Sequence, residues 1–351
     1  MNVVEILTSI KLPVFFLILF LLLLSFCWQT AFNFFRFKSY EGKQRVHLNE
    51  IPRLGGFLIF TFLIFVVFID FEQSSLLCNL LISSLPILTV GIKEDIFHNT
   101  SNHARLIGMT LSVILFFTIH PMIFPKIDLP ILGEIISNYY VGLPFFLFAS
   151  LVIINGTNLI DGMNGLMVFS TLSQLVALLF LSVLSADYEI SKVIVLLIIP
   201  IFIFLFFNFP LGRIFIGDFG AYFIGFIISM ITIIFFGRNP QLLSWNAVLI
   251  LFYPSIELLF SIIRKIFIDK IGSQTADNKH LHTLLFNYYK KRFLSVSIAN
   301  NLTSLSLWVF WAAPLLIFVG ADDFFFIISS IILLGVSYVI FYYYLRRLTL
   351  K

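Results

Sequence analysis

The sequence predicts an all-α, polytopic membrane bundle of about eleven transmembrane helices, N-terminus outside and C-terminus cytoplasmic. Three observations carry that expectation. Of 351 residues, 60% are hydrophobic and only 11% charged, with a mean hydropathy of +1.04, far more apolar than a soluble domain requires. Apolar runs near the ~20 residues that cross a bilayer recur along the whole chain. The basic residues fall unevenly on the two sides of those runs.

The runs cover 12–32, 54–70, 76–92, 104–124, 139–154, 166–184, 192–209, 217–236, 245–268, 302–319 and 322–345. Those at 54–70, 76–92 and 139–154 are short for a span. The 45 Phe residues suit lipid-facing and interhelix packing. Leu12–Leu24 follows a single Lys, and the bulky Phe26-Cys27-Trp28 offers no cleavage site, so the first run reads as a retained helix. Cys27 and Cys78 lie in separate predicted helices, which argues against a disulfide framework or a Cys zinc site. With no strong internal repeat and no low-complexity linker, residues 1–351 read as one membrane domain.

Orientation follows from the positive-inside rule. Loops 33–53, 93–105, 155–165, 210–216, 264–301 and 346–351 hold 18 of the 22 Lys and Arg residues. Lys11, Lys126, Lys192 and Arg238 hold the other side. The net charge of +4 therefore belongs to membrane loops and is no nucleic-acid signal. The loops rich in Asp, Asn, His and Gly (91–105, 155–165, 208–220 and 273–283) all fall on the basic, cytoplasmic side. Among the external loops, only 125–138 is long enough for a small hairpin.

The segment Asn155-Gly156-Thr157-Asn158-Leu159-Ile160-Asp161-Gly162-Met163-Asn164-Gly165 combines hydrogen-bonding groups with backbone freedom and carries no Lys or Arg. Asn158, Asp161 and Asn164 recur every three residues and would share one face of a helix. Gly156, Gly162 and Gly165 would let a ligand approach the backbone; the plainer reading is an interhelical loop with Asn and Asp caps. Glu94 and Asp95 end the third run, where adjacent carboxylates repel unless a cation joins them. They suit magnesium–phosphate work or base catalysis, or else a solvated helix end. Arg105 opens the next run and suits bidentate contact with a phosphate. Asp218 enters an apolar helix at its cytoplasmic end, a costly place for a carboxylate. Magnesium would neutralise it; a capping role is the alternative. His280 and His282 lack a Cys or carboxylate at metal-site spacing, so they suit phosphate contacts or a surface loop better than zinc. Glu257, deep in the ninth run, suits a structural pair with a neighbouring helix or with Arg264. The Gly55-Gly56 pair after Pro52-Arg53 suits a close helix contact.

In order, Pro-Arg-x-Gly-Gly, the acidic pair, Asn-x-x-Asp-Gly-x-Asn-Gly, Gly-Asp-x-Gly and His-x-His resemble the polyprenyl-phosphate N-acetylhexosamine-1-phosphate transferases. That family includes the phospho-muramoyl-pentapeptide translocase and the transferases that initiate O-antigen and teichoic acid. The resemblance implies a multi-pass protein of the bacterial inner membrane with a cytoplasmic site. It implies transfer of a sugar 1-phosphate from a UDP-sugar to undecaprenyl phosphate, releasing UMP, with magnesium or manganese. It assigns Asp218 to the metal, Glu94, Asp95 and Asp161 to catalysis, and Arg53, Arg105, Asn158, Asn164, His280 and His282 to substrate. Within those roles, Asp95 would bind or deprotonate the lipid phosphate. Membrane lipid and a second copy in a homodimer are the other partners expected.

Four positions depart from the family pattern. Glu94 stands for Asp, Asn164 for a second Asp, Thr283 for a third His, and Asn278 for an Arg. The Glu-Asp, Asn-Gly and Gly-Asp-x-Gly-Ala-Tyr variants resemble a bacterial subgroup that initiates lipopolysaccharide or capsule. The rival class is a transporter or lipid flippase, which would place ionisable groups near the bilayer midplane between repeated halves. Here they crowd one face, and only Glu257 is deep.

Overall fold

The computed structural model describes residues 51–69, 75–120, 123–270, 272, 279–293 and 295–349. The expected span 12–32 and Asn278 lie outside them. The described elements are all helical: α1 (Gly55–Ile69), α2 (Ser75–Phe97), α3 (Asn102–Ile119), α4 (Leu132–Ser137), α5 (Tyr139–Ile160), α6 (Leu166–Leu184), α7 (Tyr188–Asn208) and α8 (Gly217–Arg238). There follow α9 (Trp245–Ile250), α10 (Phe252–Ile263), a π turn (Arg264–Ile268), α11 (Leu281–Lys290), α12 (Val296–Ser306) and α13 (Trp308–Trp311). A 3-10 turn (Ala313–Leu316), α14 (Ile317–Gly320) and α15 (Phe324–Thr349) complete the order. Seven of these, α2, α3, α5, α6, α7, α8 and α15, are long and apolar enough to cross a membrane. The chain is thus an all-α, polytopic membrane protein.

Helix α8 is the centre. Its sequence is apolar on every side, which marks a helix surrounded by protein rather than one with a solvent face. It is buried throughout its apolar window and packs on α1, α2 and α5. Close approach is built in at two places. A Cβ on Gly56 would fall 2.1 Å from Gly220 Cα, and one on Gly91 2.6 Å from Phe219 Cα. The Gly pair that opens α1 is therefore the close helix contact expected of it, and it lets backbones touch in the small-residue manner of membrane helices.

Two predicted spans are broken. The run 245–268 divides at Leu251 into α9 and α10. Pro254 supplies no N–H to the Ile250 carbonyl four residues back and crowds it, so α9 ends there. The run 302–319 becomes α12, α13, a 3-10 turn and α14; Pro314 acts in the same way on Phe310. Pro86 instead stays inside α2. There the Ile87 N–H donates to Ser112 Oγ of α3 at 3.0 Å, so a helix–helix contact satisfies a buried backbone group. The external loop 125–138 forms the short helix α4 rather than a hairpin. Asp128 ties it to the start of α9, accepting from Ser244 N–H at 2.6 Å.

Candidate active site

Helix ends build the site. The C-terminal ends of α2 and α5 and the N-terminal ends of α3 and α8 meet at one end of the bundle. The segment before α1 and the start of α11 flank them.

Asp95 organises the centre. Its Oδ1 accepts from the backbone N–H of Asp218, and its Oδ2 from that of Phe219, both at 2.9 Å. These are first-turn donors of α8, which have no partner within their own helix. A carboxylate from α2 therefore caps α8 across the helix interface, where the helix dipole also favours negative charge. Charged hydrogen bonds of this kind contribute on the order of 1.5–3 kcal/mol each. Gly217 makes room: its φ is +77°, and a Cβ there would lie 2.6 Å from Asp95 Oδ2. Arg53 Nη1 sits 3.4 Å from Asp95 Oδ1. Backbone pairing holds that arginine in place, with Phe215 N–H on Pro52 O at 3.0 Å and Gly55 N–H on Phe215 O at 2.9 Å.

Glu94 points elsewhere. It pairs with Arg105 Nη2 at 2.6 Å and accepts from Thr100 N–H at 2.9 Å. The two adjacent carboxylates thus each have a guanidinium of their own. Both lie within α2, which runs on to Phe97 rather than ending before them, and both are buried. A solvated helix end is thereby excluded.

Asp218 stands in the first turn of α8, and Asn158 Nδ2 donates to its Oδ1 at 2.8 Å. Asn158 is in the last turn of α5, and Asp161 is that helix's C-cap. The segment expected to be a loop from residue 155 is therefore helical as far as Ile160. Asp161 is half-buried. Burial first, and then the neighbouring Asp218 carboxylate, push its carboxyl well above the usual carboxylate range, with Arg53 opposing. Three carboxylates, Asp95, Asp161 and Asp218, share one electrostatic environment.

Asn164 does not join them. Its N–H donates to Asn300 Oδ1 at 2.7 Å and its Nδ2 to Asn301 Oδ1 at 3.3 Å. Past Asp161 the chain leaves the helix, so the three-residue spacing no longer keeps Asn164 on the face of Asn158. Buried at 2% exposure, it fastens the segment to α12. The three glycines receive protein rather than ligand: a Cβ on Gly156 would strike Pro254 O, one on Gly162 His282 Nε2, and one on Gly165 Phe169 and Phe209.

His280 is the N-cap residue of α11 in extended backbone, and His282 follows in the first turn. Their rings stack with centroids 5.7 Å apart and planes within 6°. Glu257 Oε1 lies 3.6 Å from His280 Nδ1 and 3.8 Å from His282 Nδ1. It also accepts from Leu281 N–H at 3.1 Å, and Tyr338 hydroxyl donates to Oε2 at 2.9 Å. Burial lowers the His282 pKa to about 4 against the pull of Glu257. Of the two partners expected for Glu257, a neighbouring helix is the one found. Arg264 instead pairs with Asp269 at 2.6 Å. Glu257 and Tyr338 are the residues that sequence reasoning undervalued. The signal was there: a carboxylate deep in an apolar run is costly unless it has partners.

Residues 77–236 match the model of glycosyl transferase family 4. Over 296 residues the chain is 25% identical to the undecaprenyl-phosphate alpha-N-acetylglucosaminyl 1-phosphate transferase of Thermotoga maritima, covering 80% of this chain and 89% of that one. A Bacillus subtilis protein named "Probable undecaprenyl-phosphate N-acetylglucosaminyl 1-phosphate transferase" is 25% identical over 257 residues, 73% of this chain and 71% of its own. The phospho-N-acetylmuramoyl-pentapeptide-transferase of a Wolbachia strain of Drosophila simulans is 24% identical over 198 residues, 53% and 60% of the two chains. The matched segment 77–236 carries Glu94, Asp95, Arg105, Asn158, Asp161 and Asp218, and over that segment the chain is similar to glycosyl transferase family 4.

Proposed function

We propose that the protein transfers a sugar 1-phosphate of the N-acetylhexosamine type from a UDP-sugar to undecaprenyl phosphate, releasing UMP and starting a lipid-linked surface glycan. The observation that carries this reading is the convergence of Asp95, Asp161, Asp218, Asn158, Arg53 and Arg105 on one end of a membrane bundle. Two relatives named for N-acetylglucosaminyl 1-phosphate transfer support the donor class. This gathering of ionisable groups at one end of the described helices supports a transferase over a transporter with its site at mid-depth.

Phosphoryl transfer asks a protein mainly for positioning and charge neutralisation. A lipid phosphate oxygen attacks the sugar-bearing phosphorus of the donor. A new phosphoanhydride forms, the old one breaks, and its bridging oxygen leaves with UMP. Both Asp95 oxygens already accept backbone N–H groups, which favours direct attack by the lipid phosphate over deprotonation by Asp95. In this reading Asp95 is a positioning residue that aims the first turn of α8, and with it Asp218. Arg53 and Arg105 stand beside the carboxylates as phosphate partners, and Glu94 holds Arg105. Asn158 orients Asp218, and Asn164 anchors the segment instead of touching sugar.

Among the described residues no three His, Cys, Asp or Glu side chains could hold a metal by themselves. Magnesium, or manganese, does not require such a cluster, because it takes one or two carboxylates and completes its shell with phosphate oxygens and water. Asp218 and Asp161 would hold it: burial first, then the neighbouring Asp218 carboxylate, raise the Asp161 carboxyl, and a bound cation would oppose both. Bound there, the ion supplies neutralisation of the donor diphosphate.

The test is UMP release by membranes containing the protein, given undecaprenyl phosphate, magnesium and each of a panel of UDP-N-acetyl sugars, beginning with N-acetylglucosamine. The expected result is release with at least one donor, abolished in Asp218→Asn while membrane insertion is kept. No release with any donor overturns the reading, and full activity in Asp218→Asn removes the metal assignment.

A further inference from the structure

We propose that Glu257 is the positioning residue for the histidine pair: one buried carboxylate fixes the ring orientation and the proton position of both His280 and His282. The inference rests on the transferase reading for its activity arm only.

Four contacts converge on this side chain. Its Oε1 faces both Nδ1 atoms, at 3.6 and 3.8 Å, and takes the Leu281 N–H that lies between the two histidines in sequence. Its Oε2 takes the Tyr338 hydroxyl from α15. Glu257 and Tyr338 are each 1% exposed, His280 is 6% and His282 4%. Tyr253, also buried, is a further titratable group facing the carboxylate. A buried carboxylate is costly unless it is paired and hydrogen-bonded, and the Tyr338 hydroxyl is one partner. Its other partners are the start of α11.

The geometry then dictates the chemistry of the rings. A carboxylate on the Nδ1 side favours the proton at Nδ1, and the tautomer of one ring nitrogen is set by what the other meets. The parallel rings consequently turn both Nε2 atoms away from Glu257. For His282 the direction is explicit: its Nε2 faces Gly162, one residue from Asp161. A neutral His282 presents an acceptor there, and any proton taken up at Nε2 leaves an imidazolium backed by a buried negative charge. Glu257 thus sets how the start of α11 meets the turn beside Asp161, without touching substrate.

The experiment pairs two readouts on purified, detergent-solubilised protein. The first is the histidine-ring nitrogen-15 spectrum, which reports the protonated nitrogen independently of activity. His280 and His282 are identified by loss of their signals in His280→Gln and His282→Gln. Wild type is expected to show Nδ1–H tautomers for both rings, and Glu257→Gln a mixed or Nε2–H population. The second is UMP release, expected to fall on the order of ten- to a hundredfold in Glu257→Gln, the scale on which partners behind a histidine act. Partial recovery is expected in Glu257→Asp. Tyr338→Phe keeps the charge and removes one hydrogen bond, so it guards against a Glu257→Gln protein that does not fold; it is expected to retain the Nδ1–H tautomers with a smaller loss of turnover. Wild-type tautomers and wild-type turnover in Glu257→Gln would overturn the inference, as would Nε2–H rings in the wild type. If the wild type itself releases no UMP, the transferase reading fails while the spectra still decide the role of Glu257.

Discussion

Asp95 shows how much a single side chain does here. It could have been a free base beside another acid. Instead its two oxygens take the first N–H groups of α8, and the position of Asp218 follows from that cap. Gly162 plays the matching role on the other wall, because a Cβ there would lie 2.6 Å from His282 Nε2. Gly162→Ala is expected to push the ring out of register. Misplacement by about 1 Å costs on the order of a hundredfold in rate, so UMP release should drop by that factor while the melting temperature moves little; unchanged release would remove His282 from the site. The charged members of this site were legible in the sequence, because carboxylates at the ends of apolar runs stand out on cost alone. The direction in which each one points was not. Glu94 and Asp95 are adjacent in sequence and serve different partners, and Asn164 keeps the spacing of its neighbours yet turns to α12. Such choices depend on where other helices end, which no local pattern encodes.

The element that most needs support is α11, since its first turn carries the histidines. Two carboxylates hold its approach to α10 and α15. Glu257 takes Leu281 N–H, and Asp269 takes Arg264, Arg346 and Lys279 at 2.6, 2.8 and 3.2 Å. Burial pushes the Asp269 carboxyl up, but the hydrogen bonds from these three cations outweigh it and hold its pKa below the usual aspartate value. A depressed pKa stabilises the fold above the unfolded-state value, and that stability is lost as pH falls through the folded-state value. The melting temperature of Asp269→Asn should therefore lie below that of the wild type near pH 7, and the gap should close as the pH falls below about 4. A gap constant across that range would contradict the network. At this scale the sequence was informative wherever apolar period and length agreed, as at 166–184, which matches α6 to the residue. It misled at 245–268 and 302–319, where composition alone gives a span and Pro254 and Pro314 divide it.

On the scale of the whole molecule, the carboxylates, arginines and histidines of the candidate site gather at one end of the described bundle, and the uneven basic residues predict that this end faces the cytoplasm. In a variant with Cys27 and Cys78 replaced by Ser, Asp161→Cys should react with a membrane-impermeant thiol reagent only in inverted vesicles. Reaction only from outside intact cells would reverse the orientation. The central claim, that phosphorus moves with the sugar onto lipid, has a more direct test. Membranes are given UDP-N-acetylglucosamine labelled with phosphorus-32 at the β position, undecaprenyl phosphate and magnesium. The expected result is label in the organic-extractable lipid, one UMP per labelled lipid, and neither product in Asp218→Asn. UDP release with the label left in water, as in transfer of the sugar alone, would contradict the account.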